Sequence, residues 1–136
     1  MELKTQERFY KKYPKLFKQK NYTIQESCMA WGISCGEGWS NILDAMCAEI
    51  EIYQRNMKIL KEPLEPVEFT QIKEKYGLLR IYYQGGNDMI ADIINRAEQE
   101  SAITCEECGS KEKVKQSKGW IYTECKLCRN KRLKNE

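Results

Sequence analysis

Cys105 and Cys108, then Cys125 and Cys128, form two C-x2-C pairs separated by sixteen residues. Thiolates two residues apart on a tight turn bind one ion together, and two such pairs complete the tetrahedron that zinc accepts. The array therefore predicts one structural Zn2+. Four protein sulfurs leave no position for water or substrate, which closes the site to the hydroxide and Lewis-acid chemistry of catalytic zinc. The chain has no histidine, so the commonest general base and the usual nitrogen ligand are also missing. The pattern predicts a protein that binds, not an enzyme.

Two further groups of residues suggest what is bound. Lys73, Lys75 and Arg80 lie among Tyr76, Tyr82 and Tyr83 and close to glycine turns. Guanidinium, ammonium and aromatic rings together suit a phosphate with an attached base. Lys73, Lys75, Arg80 and Tyr82 are thus candidates for a small nucleotide ligand or a partner protein. The competing reading is strand alternation, with Leu79, Ile81 and Tyr83 in the core and Arg80 and Tyr82 covering the solvent face. Near the C-terminus, Trp120 and Tyr122 offer stacking surfaces, and Arg129, Lys131 and Arg132 offer phosphate contacts for a nucleic acid.

Two other motifs carry weaker signals. Gly36-Glu-Gly-Trp39 before a helix could present backbone amides to an anion. Glu37 would repel a phosphate there, and a tight entry turn with Trp39 packed against the core is the simpler account. Cys28, Cys35 and Cys47 have no ligand spacing and no histidine partner, and read as buried thiols.

The elements that must position these residues follow from pattern. At 136 residues the chain supports one modest core with a zinc-stapled appendage. Its hydrophobic fraction of 41% and charged fraction of 32% are those of a globular protein. The net charge of +3 is small but uneven: residues 1–20 hold seven basic residues against two acidic ones, and the segment after Cys128 holds four against one. Basic ends can hold phosphates or be plain solvated faces. No apolar run reaches membrane length and the first residues lack a signal-peptide stretch, which predicts a reducing cytoplasm where seven cysteines need no disulfide.

A short amphipathic helix around Arg8–Tyr13 stops at Pro14, with Phe9, Tyr13, Leu16 and Phe17 on its buried side. Residues 21–38 read as a loop. From Ser40, Ile42, Leu43, Met46, Cys47, Ile50, Tyr53, Met57 and Leu60 recur at helical spacing, and Pro63 and Pro66 end that helix. Residues 68–86 read as a β-hairpin, and Asn87 caps a second helix with Met89, Ile90, Ile93, Ile94 and Ala97 on one side. Gly119–Thr123 reads as a strand feeding Cys125, and the second cysteine pair opens a helix. The fold class is α+β, with an α+β core over 1–103 and a zinc ribbon or treble-clef-like lobe with a basic tail over 104–136. The long helix and exposed aromatics would also suit a homodimer.

The run Cys35-Gly-Glu-Gly-Trp39, the string Ile72-Lys-Glu-Lys-Tyr-Gly-Leu-Leu-Arg-Ile-Tyr82, Gly85-Gly-Asn-Asp88, Ala97-Glu98, Ser101, Cys105-Glu-Glu-Cys-Gly109, Gly119-Trp120, Thr123 and Cys125 carry a resemblance. Together they resemble a family of small, mostly uncharacterised zinc-binding proteins of bacteria and tailed phages. The resemblance covers most of the chain from about Tyr13. It implies one unit with a zinc lobe and no established activity. Members often carry histidine at the last ligand position, where this chain has Cys128. Phage membership implies a host-takeover or counter-defence role, such as blocking a host protein or sequestering a small nucleotide signal in the host cytoplasm. A nucleic-acid-binding zinc module is the alternative.

Overall fold

The computed structural model describes residues 1–135. Its elements run helix α1 (Leu3–Lys12), strand β1 (Ile33–Ser34), helix α2 (Ser40–Ile59), strands β2 (Glu68–Lys75) and β3 (Leu78–Gln84), helix α3 (Asp88–Ser101), strands β4 (Val114–Gln116) and β5 (Thr123–Cys125), and helix α4 (Lys126–Lys134). The architecture is α+β. One sheet has the order β1-β2-β3, and β4 and β5 form a separate hairpin.

The core forms where the apolar stripes converge. Ile42, Leu43, Met46, Cys47 and Ile50 of α2 face Ile90, Ile93, Ile94 and Ala97 of α3, and Ile72, Leu79 and Ile81 close the layer from the sheet. Phe9, Tyr13, Leu16 and Phe17 are all buried, with Phe17 set edge-on to Phe69 of β2 at 5.1 Å between centroids. Pro14 ends α1, and the chain continues into a 3-10 turn at Lys18–Asn21 that lies against β2. Burial of so many branched and aromatic side chains, each worth about 1.5–3 kcal/mol, is the main stabilising term.

The hairpin turn is Tyr76-Gly77, both in the left-handed region at φ 54° and φ 80°, the pair of positive φ values that matches strand twist in a tight type I′ connection. β3 would leave its outer edge open, but α3 covers it. The Leu79 amide donates to Ser101 Oγ at 3.0 Å and the Ile81 amide to a Glu98 carboxylate oxygen at 3.0 Å. This pairing removes two orphan donors from a sheet edge.

Four details differ from the sequence expectation. Residues 21–38 are not only loop: Ile33–Ser34 adds parallel to β2, with Ile33 opposite Ile72, a strand too short for alternation to reveal. Cys28 is exposed while Cys35 and Cys47 are buried. The α2 stripe runs past the core, leaving Leu60 exposed just beyond the helix, and Met89 is exposed at the first turn of α3. The predicted strand at Gly119–Thr123 shrinks to Thr123–Cys125, because Gly119 takes φ +72° and Ser117 Oγ closes a turn by donating to the Trp120 carbonyl and accepting from the Tyr122 amide.

Candidate metal centre

Each cysteine pair is held by a different local device. The first sits on a knuckle, where the Gly109 amide donates to the Cys105 carbonyl at 2.9 Å and the Cys105 amide to the Ser110 carbonyl at 2.8 Å. Gly109 adopts φ +81°, which a side chain would strain. The second pair opens α4: Cys125 is the N-cap residue, and its sulfur accepts the Cys128 amide at 3.4 Å. Knuckle, hairpin β4–β5 and helix α4 follow one another in the treble-clef arrangement. The helix, absent from a plain ribbon, directs its N-terminal amides at the sulfurs and stabilises their negative charge.

All four sulfurs lie within 4.8 Å of one another. A metal with bonds to sulfur of about 2.3 Å needs a tetrahedral edge of about 3.8 Å, and Cys108 Sγ stands 3.7 Å from Cys125 Sγ. A disulfide would need about 2.05 Å. The donor set therefore fits one tetrahedral ion. The Cys128 amide draws Cys125 down to about 7, which disposes one sulfur to the thiolate form, whereas burial raises Cys128.

The lobe is clamped to the core through Cys35-Gly-Glu-Gly-Trp39. The Gly36 amide donates to a Glu106 carboxylate oxygen at 2.9 Å, and the Gly38 amide to the Glu106 carbonyl at 2.7 Å. A Cβ on Gly38 would fall 2.1 Å from the Cys105 carbonyl oxygen, so only glycine allows this approach. Trp39, fully buried, donates from Nε1 to the Thr104 carbonyl at 2.9 Å. The anion held by the glycine turn is thus the knuckle's own Glu106, and the simpler sequence account of Trp39 as packing holds. On the other side, Thr123 Oγ1 donates to the Gly77 carbonyl of the β2–β3 turn.

Sequence-predicted partner residues are spread over two regions. Lys73 and Arg80 are cross-strand neighbours on the solvent side of the sheet, and the Lys73 ammonium lies 5.9 Å over the Tyr82 ring. Lys75 instead stands over Tyr76 at 5.8 Å. Leu79 and Ile81 are buried, as alternation required. Arg80 borders a groove of about 380 Å³ whose wall includes Glu98. In the lobe, Trp120 is 78% exposed. Arg132 forms a two-pronged ion pair with the buried Glu124 at 2.6 and 3.0 Å, its guanidinium 4.1 Å over the Tyr122 ring. Glu106 and Glu124 escaped the sequence reading because their partners lie in other elements.

Cys35 and Cys47 are held in the thiol form. Burial pushes Cys35 up to about 12, with the Glu106 charge adding to it, and burial raises Cys47 well above the ordinary thiol value. Comparisons with protein-family models, curated proteins and solved structures return no match. The fold and the site define an α+β protein carrying a four-cysteine metal lobe. No helix among the described residues is long and apolar enough to cross a membrane.

Proposed function

We propose that this protein is a non-enzymatic, zinc-stabilised binding protein whose zinc lobe docks nucleic acid. Charge partition carries the reading. Residues 104–136 hold nine Lys and Arg against five Glu, while residues 1–103 hold fourteen against fifteen Asp and Glu. A zinc tetrathiolate subtracts about two charges and still leaves the lobe positive. Positive charge beside an exposed Trp120 suits a phosphate backbone with bases free to stack. Zinc is the ion of choice for four clustered thiolates, and its role is structural because no ligand position is left for water.

The sheet face supports a small nucleotide ligand less well. Lys73 and Arg80 adjoin, but Glu98 in the wall of the groove beside Arg80 would repel a phosphate. Resemblance to proteins of bacteria and tailed phages fits a host-takeover or counter-defence factor, by association alone. Retention of single- and double-stranded oligonucleotides across a salt series tests the reading. Affinity should fall steeply and linearly on logarithmic axes. A chain that retains neither at low salt sinks it.

A further inference from the structure

Arginines and lysines of the lobe do not form one even surface. Helix α4 separates two grooves of opposite character. The larger, about 700 Å³, is lined by Glu106, Glu107, Cys108, Cys128 and Lys131, and by Glu124 paired with Arg132. The Glu106 and Glu107 carboxylates, and the cysteine sulfurs once they hold a metal as a negative tetrathiolate, make it a poor place for phosphate. The smaller, about 320 Å³, is lined by Lys113, Lys115, Lys126, Arg129 and Glu124.

Among the described residues, Glu124 is the only acidic one lining the smaller cleft, and it is already neutralised. Its carboxylate accepts from Arg132 Nε at 3.0 Å and from the terminal nitrogen at 2.6 Å. Among the described residues, no carboxylate lies within ion-pair distance of Lys113, Lys115, Lys126 or Arg129. Lys115 stands opposite Glu124 in the β4–β5 register, and Lys126 and Arg129 lie three residues apart on one helix face. Four cations converging without a counter-ion repel one another, and a bound polyanion relieves that repulsion while releasing condensed counter-ions.

We propose that the β4–α4 cleft, through Lys113, Lys115, Lys126 and Arg129, is the phosphate-binding site for a nucleic-acid strand, with Trp120 at the end of the same hairpin as its stacking platform. The assignment rests on the nucleic-acid reading above and refines it. Arg132 becomes a positioning residue that neutralises Glu124, and its guanidinium covers the Tyr122 ring, leaving Trp120 as the aromatic with an open face. Lys131 belongs to the acidic groove. Of the basic tail expected from sequence, Arg129 is thus the residue assigned to the contact.

The test measures a labelled single-stranded oligonucleotide against zinc-loaded wild type, Lys115→Gln/Arg129→Gln, Lys131→Gln/Lys134→Gln, and a charge-matched control, Lys58→Gln/Lys61→Gln. Zinc content and melting temperature confirm that each variant is folded. The cleft variant should lose about tenfold or more in affinity and flatten the logarithmic salt slope by about 1.4, two phosphates at about 0.7 each. The control should stay within twofold of wild type. Trp120→Ala should weaken binding with the salt slope unchanged, since stacking releases no ions. If wild type binds no oligonucleotide, the functional reading fails. If wild type binds and the tail variant loses affinity while the cleft variant does not, the cleft assignment alone fails. Equal occupation of the cleft by inorganic phosphate, with no tighter binding of the oligonucleotide, would overturn the strand as the ligand.

Discussion

At the scale of single residues, the least forgiving positions hold the lobe against the core. Gly38→Ala places a methyl group 2.1 Å from the Cys105 carbonyl oxygen, and the knuckle must move away to admit it. We expect the variant to melt at lower temperature and to lose zinc to a competing chelator faster than wild type. Trp39→Phe keeps most of the ring but orphans the Thr104 carbonyl, costing about 1–3 kcal/mol in chemical denaturation. The Tyr13 hydroxyl donates to Asp44 Oδ1 at 2.6 Å and, together with Lys12, holds the Asp44 carboxyl below its usual range. A depressed carboxyl stabilises the fold above its unfolded pKa of about 3.9 and stops doing so as pH falls through its folded value. Tyr13 is raised, chiefly by burial, so its contribution is complete below about 10 and is lost on further alkalinisation. Tyr13→Phe should therefore lower the melting temperature near neutral pH, with the gap to wild type narrowing at both extremes; a gap independent of pH would show that the pair contributes only packing. Trp39 and the four cysteines were legible in the sequence because spacing or glycine punctuation marks them. Glu106 was not, since Gly36 lies far from it in the chain, and Glu124 was not, since Arg132 reaches it only once α4 folds beside β5.

At the scale of elements, periodicity read the long elements and missed the short ones. Helix α2 begins where the stripe begins, and its far end escapes the core because residues beyond Tyr53 outrun the sheet and α3 they would pack on. Strand β1 has two residues and no period to detect. Helix α4 was readable from the unbroken run after Cys125, though ribbon and treble clef both stayed open, whereas the extent of β5 depended on a serine turn that composition does not signal. The contact of α3 with the edge of β3 gives a prediction at this scale. Ser101→Ala removes the acceptor of the buried Leu79 amide and should cost about 1–3 kcal/mol. Hydrogen exchange at Leu79 would reveal it as faster opening of that edge, and unchanged protection would mean that α3 does not secure the strand.

At the scale of the whole molecule, a metal held by the four sulfurs would tie the knuckle to α4 within the lobe, and the clamp ties the lobe to the core. The lobe buries few large side chains of its own: Thr104, Cys105, Thr123, Glu124 and Cys125 are buried there, and α4 has no buried residue. Its order must come from the ion and from the clamp onto Gly36, Gly38 and Trp39. Removing the metal should release α4 and the β4–β5 hairpin first and leave the α2–α3 core folded, because that core is complete without them. The sequence disclosed the four clustered cysteines, but not the clamp that ties their lobe to the core. The most direct test of this account is native mass spectrometry of the untagged protein beside its Cys125→Ser/Cys128→Ser variant. We predict one zinc per wild-type chain and none in the variant. A wild-type chain with no bound metal, or a variant that keeps the ion, would contradict the four-sulfur centre on which the account stands.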